Sequence, residues 1–326
     1  MSTGVIIASA PGKLMLAGEY AVAERLAPAL AVATDRRVSV RLEAGGEGLR
    51  VTAAGLGLKQ VPHTRAPLVA AALLACGYAG PGHVEIVSQL GSGAAKPGLG
   101  ASAAITVAVM AAARVALGLG PPTLAEAIAA HRATQGGLGS GYDVATALLG
   151  GLTVFDPRSG EARSLPWPDG LYAVALSTGR GASTTALLKR LDAARRRDPA
   201  GVGRRLGGHA QASAALVAAF EAGAVGAILA AGAAAEQSLA TFDRAAGIGV
   251  AGGGQLELRR AIEGAGAVAR TSGAGGGDSM WAWAADPAVL ERATQRALHL
   301  GFTRLAVEFP SDGLRVEREP SAEVAT

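Results

Sequence analysis

Three short glycine-rich stretches, each followed by one charged side chain, are the parts of this sequence best suited to chemistry. Lys13 follows the dipeptide PG, Asp143 lies two residues after the tripeptide GSG, and Asp278 follows a run of three glycines. Glycine lets the backbone turn sharply and approach a ligand closely. The pattern therefore indicates a small-molecule site built from loops, with a lysine to neutralise negative charge and a carboxylate to orient a reacting group.

A fourth stretch, KPGLGASAAITVAV at 96–109, predicts a phosphate site. Gly98 and Gly100 precede a predicted helix over 102–117, and the first turn of a helix has unpaired N–H groups and partial positive charge. Both features favour a bound phosphate. Ser102 adds a hydroxyl for the phosphate or for Mg²⁺; the alternative is that Ser102 only caps the helix.

The composition favours an anionic small molecule over a polymer. The net charge is +4, and only four of the 30 basic residues are lysine, two of which (Lys13 and Lys96) lie beside glycines. The basic run at 194–205 is interpreted as a solvated helix end rather than a nucleic-acid surface. A single cysteine, the absence of a signal-like start, and Glu221 inside the apolar stretch 210–235 predict a cytoplasmic protein without a membrane partner.

The order of the predicted elements indicates an α+β protein with two domains. Hydrophobic patterning predicts strands over 5–9, 36–44, 83–90, 151–156, 171–178, 279–285 and 303–309, and helices over 102–117, 123–135, 143–149, 183–197, 207–240 and 286–299. The stretch SLPWPDG at 164–170 is the predicted boundary. The predicted domains are therefore residues 1–168 and 169–326.

The segments APGKLMLAGEYAV, KPGLGASAAITVA and SGAGGGDSMWA, in this order, resemble the three motifs of the GHMP kinases. With the Asp143 segment, the resemblance extends over nearly the whole chain. It implies a ribosomal-protein-S5-like N-terminal half that binds ATP and a ferredoxin-like C-terminal half. ATP would bind between the halves, with its phosphates under the Gly98–Ser102 loop. One departure is Ala101, where the family usually has the first of two serines.

Within the family, the segments GEYAV, KPGLG, GSGYDVA and STGRGASTTALL resemble the phosphomevalonate kinases. Mevalonate kinases tend to have GEH in the first motif and a Mg²⁺-binding glutamate eleven residues before the aspartate, where this chain has Arg132. The resemblance thus implies ATP-dependent phosphorylation of (R)-5-phosphomevalonate to 5-diphosphomevalonate in isoprenoid synthesis. The alternatives are a mevalonate kinase, another GHMP kinase, or a binding protein that keeps the fold without catalysis.

The same resemblance implies roles for individual residues. Lys13 would bridge the two phosphates, and Asp143 would orient Lys13 and the acceptor, acting as a base only for a hydroxyl acceptor. The residues expected to hold ATP are Lys96, Gly98, Leu99, Gly100, Ala101, Ser102 and Ala103, with Ser102 also the Mg²⁺ ligand. Those expected to hold the acceptor are Glu19, Tyr20, Ser140, Gly141, Arg180, Ser183, Thr184, Gly275 and Gly276.

For several of these residues the sequence leaves a plain structural alternative. Ser183 and Thr184 are equally well explained as the cap of the helix over 183–197, and Lys96 as a loop lysine without a contact. Asp278 is expected to shape its glycine loop rather than to do chemistry, and His131 to be a structural histidine. The expected partner is a small anionic substrate, with no nucleic acid, and the protein is expected to be a monomer or homodimer.

Overall fold

A computed structural model describes residues 4–91, 98–137 and 139–319 and confirms the α+β class. Its strands are β1 (Val5–Ala17), β2 (Ala29–Ala44), β3 (Leu49–Ala53), β4 (Leu58–Pro62), β5 (Gly82–Ser88), β6 (Leu152–Phe155), β7 (Ala162–Leu165), β8 (Tyr172–Ser177), β9 (Val268–Ser272), β10 (Ser279–Ala284), β11 (Thr303–Arg304) and β12 (Arg315–Glu319). Its helices are α1 (Pro67–Ala75), α2 (Ala101–Ala116), α3 (Leu124–Ala133), α4 (Tyr142–Leu149), α5 (Thr184–Arg197), α6 (Pro199–Ala222), α7 (Val225–Ala246), α8 (Gln255–Glu263) and α9 (Pro287–His299).

The N-terminal half is an eight-stranded sheet covered by α2 and α4. The strand order is β12-β1-β2-β5-β3-β4, and β6 pairs with both β2 and β7. Helix α2 is apolar on nearly every side, and its residues from Ala103 to Ala113 are all buried. A helix that is apolar all round must lie inside the protein. The interior position of α2 fixes its first turn, which the sequence predicts as a phosphate site.

The C-terminal half is a four-stranded antiparallel sheet in the order β11-β8-β10-β9. Helices α8 and α9 pack on one face, around Val174 and Leu176. Helices α6 and α7 lie on the other face, where Trp281 and Trp283 join the core of the N-terminal half. The Trp281 indole N–H donates to the carbonyl of Met15 at 2.7 Å, which ties β10 directly to β1.

Several of the predicted elements differ from the structure. The predicted strands over 5–9 and 36–44 are parts of longer strands, because β1 continues to Ala17 and β2 begins at Ala29. The predicted helix over 207–240 is two helices, because α6 ends at Gly223, which adopts φ +68°, and α7 starts anew at Val225. The predicted strand over 303–309 keeps a strand conformation only at Thr303–Arg304. Strand β12 pairs with β1 in the N-terminal sheet, although it follows the C-terminal half in sequence. The division at residue 168 stays a prediction.

Within the described part of the chain, one helix, α7, is long and apolar enough to cross a membrane by length and composition alone. That is weak evidence, because the core helix of a soluble protein has the same properties. Helix α7 packs against α6 and β9, and its buried residues include Glu236 and Asp243. Both carboxylates have protein partners, Thr271 for Glu236 and the backbone of Gly249 for Asp243, so the buried face of α7 is satisfied within the protein.

A buried ion network joins the first motif to the C-terminal sheet. Arg270 on β9 has no exposed area; its Nη1 donates to Glu236 at 3.0 Å, and its Nη2 lies 2.8 Å from both carboxylate oxygens of Glu19. The same nitrogen donates to the carbonyl of Leu16 at 3.2 Å. Leaving one of these buried charges without its partner costs about 3–5 kcal/mol. The network therefore holds the segment after Lys13 against the C-terminal half.

His209 on α6 packs beside this network in an uncharged form. Its Nε2 lies 3.1 Å from the carbonyl oxygen of Glu19, and the ring stacks on Phe242. Burial, together with the positive charge of Arg270, lowers the pKa of His209 from 6.5 to about 4. Protonation of His209 in the folded protein would thus add an unfavourable charge at the contact between the two halves.

The depressed pKa of His209 predicts a stability that depends on pH. Between pH 6.5 and about 4 the unfolded chain binds a proton that the folded chain does not, so the free energy of unfolding falls as the pH is lowered through this window. The expected loss is about 3 kcal/mol, from ~1.4 kcal/mol per pH unit. Urea unfolding at a series of pH values measures it.

Two variants isolate this contribution. His209→Gln should flatten the fall in unfolding free energy, whereas His299→Gln, at an exposed position, should keep the wild-type pH dependence. A His209→Gln profile parallel to that of the wild type would contradict the assignment.

Candidate active site

Lys13 lies under the glycine loop that precedes α2. The pairing of β1 with β2 shifts register between Pro11 and Lys13. The backbone N–H of Lys13 donates to Leu99 and its Nζ to Gly98, both to carbonyl oxygens at 2.9 Å. The side chain is only 8% exposed. These two hydrogen bonds fix the ammonium group at the edge of the predicted phosphate loop.

Gly100 is the residue that lets this loop lie so close to the lysine. It adopts φ +77°, and a Cβ at this position would lie 3.1 Å from Cε of Lys13. A larger residue would therefore strain the backbone and displace the lysine together. Gly100 is also the N-cap of α2, and no side chain caps this helix in the described structure. The first N–H groups of α2 are thus available to a phosphate.

Asp143 is the second residue of α4, whose N-cap is Gly141. Its Oδ1 accepts a hydrogen bond from the N–H of Val144 at 3.0 Å. The Nζ of Lys13 lies 5.4 Å from the centroid of the Tyr142 ring. Burial raises the pKa of the Tyr142 hydroxyl, and Lys13 partly offsets that rise. The structure thus brings Lys13 to the start of α4, whereas in the described residues no ion pair within 4.0 Å joins it to Asp143.

Asp278 closes the site from the C-terminal half. It adopts φ +54°, a costly conformation for a residue other than glycine. Its Oδ1 accepts from the N–H of Ala182 at 3.0 Å, and its own N–H donates to the carbonyl of Arg180 at 2.7 Å. Burial raises the pKa of its carboxyl, an effect that the Ala182 N–H and Lys13 counteract. Asp278 therefore joins the glycine loop to the segment before α5, the shaping role predicted for it.

The structure gives several predicted acceptor residues contacts within the protein. The carboxylate of Glu19 is buried against Arg270. Tyr20 adopts φ +61° and donates its hydroxyl to the carbonyl of Ala274 at 2.5 Å. In the last glycine loop, Gly275 packs on Val250 and Gly276 donates its N–H to the same residue at 2.7 Å. Their contacts with a substrate stay predictions.

The remaining predicted acceptor residues lie on two loops around Asp143 and Asp278. Ser183 is the N-cap of α5 and accepts from the N–H of Ala186 at 3.2 Å, the capping alternative for this residue. Exposed side chains at positions 180 and 184 flank it. Ser140 and Gly141 directly precede α4. Lys96 lies outside the described residues.

An apolar cavity beside the start of α2 was not predicted from the sequence. It has a volume of about 370 Å³. Its lining residues are Ala53, Leu56, Leu58, Arg65, Ala66, Pro67, Leu68, Val69, Ile86, Ser102, Ile105, Thr134 and Gln135. They come from separate segments of the chain, so no single stretch of sequence reveals the cavity. Its position next to the predicted phosphate loop suits the base of a nucleotide.

His131 has a contact that sequence analysis did not predict. It is 2% exposed on α3, as a structural histidine would be. Its Nε2, however, lies 3.1 Å from the Oγ of Ser102, the predicted Mg²⁺ and phosphate ligand. Only the packing of α3 on α2 creates this contact, because the two residues lie 29 positions apart in the sequence.

The donor set around Lys13 suits Mg²⁺ carried by phosphates. The described residues contain no group of three or more histidine, cysteine or acidic side chains that could hold a metal. Mg²⁺ in phosphate-transfer sites is commonly held by one or two protein oxygens together with phosphates and waters. The Ser102 hydroxyl and the Asp143 carboxylate are the candidate protein oxygens here. These two oxygens fit a Mg²⁺ ion that is held mainly by phosphates and waters.

Comparison with known proteins gives the family. The chain is 30% identical to the phosphomevalonate kinase of Streptomyces sp. (strain CL190), over 85% of this chain and 90% of that protein. Its fold matches the Streptococcus pneumoniae phosphomevalonate kinase in complex with phosphomevalonate and AMPPNP (TM-score 0.78, 20% identity, 93% of this chain and 99% of that chain). It also matches L. major mevalonate kinase in complex with R-mevalonate (TM-score 0.66, 22% identity, 94% and 96%).

No protein-family model matches the chain, so the relative and the fold carry the assignment. The structural matches confirm the predicted GHMP fold. The Streptomyces relative is similar to this chain over most of the length of both proteins. The chain therefore belongs to the GHMP kinases, is related to the phosphomevalonate kinases among them, and is a kinase that phosphorylates a small molecule.

Proposed function

We propose that this kinase transfers the γ-phosphoryl group of ATP to (R)-5-phosphomevalonate and forms 5-diphosphomevalonate. The observation that carries the proposal is the phosphomevalonate kinase relative, which matches 85% of this chain. The position of Lys13 supports it, because a fixed ammonium group is needed between two anionic phosphates. Arg132 supports it too, since it stands where mevalonate kinases have a Mg²⁺-binding glutamate.

The nucleotide would lie across the start of α2. The apolar cavity is large enough for the base, and it reaches the phosphate loop through Ser102 and Ile105. The phosphates would accept hydrogen bonds from the N–H groups of Ala101, Ser102 and Ala103 in the uncapped first turn. Mg²⁺, held by the phosphates with Ser102 and Asp143, would neutralise charge on them.

An acceptor that is already a phosphate monoester does not need a general base from the protein. Its second pKa is about 6, so the acceptor is mostly a dianion at neutral pH. One of its oxygens forms a bond to the γ-phosphorus of ATP, and the bond from that phosphorus to the bridging oxygen breaks to release ADP. Lys13 would stabilise the charge shared by both groups, and Asp143 would orient the acceptor without accepting a proton.

Mevalonate is the second candidate acceptor. A specific observation favours it: Asp143 is a half-buried carboxylate at the start of α4, near Lys13, where it could accept the proton of a hydroxyl. In that case Asp143 is a general base rather than an orienting group. The two candidate acceptors therefore require different roles of Asp143.

The acceptor prediction is tested by ADP release from Mg-ATP with mevalonate and 5-phosphomevalonate offered in parallel. We expect turnover with 5-phosphomevalonate at least about 100-fold above that with mevalonate, because a site that pairs a phosphate leaves its cations unpaired when the phosphate is missing. Turnover with mevalonate alone would assign the base role to Asp143. No turnover with either would reject both acceptors.

The role of Lys13 is tested by Lys13→Met, which keeps most of the side-chain volume. We expect kcat to fall by about 10³-fold or more, the size seen when a group that stabilises the transition state is removed. Lys189→Met, at an exposed position on α5, is the control and should keep wild-type kcat. A Lys13→Met enzyme within about 10-fold of wild-type kcat would refute the assignment.

The nucleotide cavity is tested by filling it. Leu68→Trp places a large ring in the lining, and we expect the KM for ATP to rise about 10-fold or more while the KM for the acceptor stays unchanged. Leu74→Trp lies on the same helix, is 81% exposed before substitution and does not line this cavity, so it should leave both constants unchanged. An unchanged KM for ATP in Leu68→Trp would place the base elsewhere.

A further inference from the structure

The last turn of α3 contacts both of the loops from which the proposed reaction would proceed. Helix α3 packs against both α2 and α4. Two consecutive residues in its last turn, His131 and Arg132, direct their side chains to different targets. His131 contacts Ser102 at the start of α2, and Arg132 contacts the loop that precedes Asp143. Neither contact is with the substrates themselves.

Arg132 fastens the loop before α4 through two backbone carbonyl groups. Its Nε donates to the carbonyl of Gly139 at 2.8 Å, and its Nη2 donates to the carbonyl of Ser140 at 3.0 Å. The planar guanidinium holds two acceptors in one fixed geometry, which a lysine ammonium group does not. The next residue, Gly141, adopts φ +101° and is the N-cap of α4. The position of Asp143 therefore depends on where Arg132 holds the loop.

Helix α3 supports the same loop at a second point, one turn earlier. Ile128 lies beneath Gly141, and a Cβ on that glycine would come 2.7 Å from its Cδ1. The N-terminus of α4 is thus pressed onto Ile128 and fastened by Arg132. With two supports on one helix, the loop has little freedom to move apart from α3.

His131 fixes the hydroxyl group of Ser102 in a comparable way. Its Nε2 lies 3.1 Å from Ser102 Oγ and 3.2 Å from the amide nitrogen of Gln135. Both contacts hold the Ser102 hydroxyl group at one position beside the ring, whichever of the two groups donates. A hydroxyl group held in this way can contact a cation or the N–H of another group without first being reoriented.

We propose that His131 and Arg132 are positioning residues that set the distance between the nucleotide site and the acceptor site. His131 orients Ser102 on the nucleotide side, and Arg132 orients Asp143 on the acceptor side. The proposal rests on the proposed function for the identity of the acceptor. It assigns to Arg132 a role in place of metal binding, since its guanidinium donates to two carbonyl oxygens.

The structure offers a matched control for Arg132. Arg114, in the last turn of α2, also folds back on the loop after its own helix, and its Nε donates to the carbonyl of Gly120 at 2.7 Å. It also forms an ion pair with Glu126. Arg114→Met removes the same kind of contact from a loop that carries none of the proposed site residues. Any effect specific to Arg132→Met is then due to the loop that it holds.

The experiment measures three quantities for each variant: kcat and KM with ATP and 5-phosphomevalonate, the Kd for AMPPNP by calorimetry, and amide hydrogen exchange over residues 139–149 and 98–106. For Arg132→Met we expect kcat to fall about 10-fold to 100-fold, because small displacements of a reacting group cost this much. Its Kd for AMPPNP should stay within about 2-fold of wild type, and exchange should quicken only over 139–149. Arg132→Lys should recover little, since it cannot reproduce the fork.

For His131 we expect the change on the nucleotide side, in AMPPNP affinity, rather than on the acceptor side. His131→Leu should weaken AMPPNP binding about 10-fold and quicken exchange over 98–106, and His131→Gln, which restores a hydrogen-bonding group, should recover most of the affinity. Should His131→Leu fail to fold, the comparison between His131→Gln and Arg132→Met still tests the division between the two sites. Arg114→Met should match the wild type in all three measurements.

Two results would overturn the proposal: an Arg132→Met enzyme with wild-type kcat, or variants of both residues that alter AMPPNP binding and exchange alike. A third result would reject the proposed function and leave the roles of His131 and Arg132 open to test. If the wild-type enzyme does not turn over 5-phosphomevalonate, the acceptor is wrong, whereas nucleotide affinity and hydrogen exchange still measure the positioning by His131 and Arg132.

Discussion

The buried guanidinium of Arg270 is the interaction on which the arrangement of the site depends. It lies in the C-terminal sheet, but its partners include Glu19 and the Leu16 carbonyl of the first motif. Removing Arg270 would leave the carboxylates of Glu19 and Glu236 in the core without this cation, which is far more costly than the pairing itself is stabilising. The two halves are therefore held at one separation. This separation also fixes the distance between the loops that surround Lys13.

Around that fixed framework, the charged groups of the site lie on short loops with unusual backbone conformations. Gly100 and Gly141 start helices with positive φ, and Asp278 accepts a strained φ to close the site. Strain of this kind persists only where the surroundings hold it in place. Here the hydrogen bonds from Ala182 to Asp278 and from Arg132 to the loop before Gly141 provide that support.

The sequence predicts the fold class and the loops that surround Lys13 because glycine clusters and apolar periodicity are local signals. It does not predict strand β9, since Arg270 interrupts an apolar pattern and is buried only because distant carboxylates pair with it. It does not predict the cavity or the contact of His131 with Ser102 either, because both form between residues that are distant in the sequence. It does not predict the ion pair between Glu19 and Arg270, because only the tertiary structure brings the two together.

The pairing of β12 with β1 has a consequence for folding during synthesis. Strand β1, which carries Lys13, has β2 on one side and residues 315–319 on the other, about 300 positions later in the chain. Until the ribosome has released those residues, β1 presents an unpaired edge to other nascent chains, the kind of edge that promotes aggregation. Contacts of such long sequence separation also slow folding. The N-terminal sheet is therefore completed only after the whole C-terminal half has been synthesised.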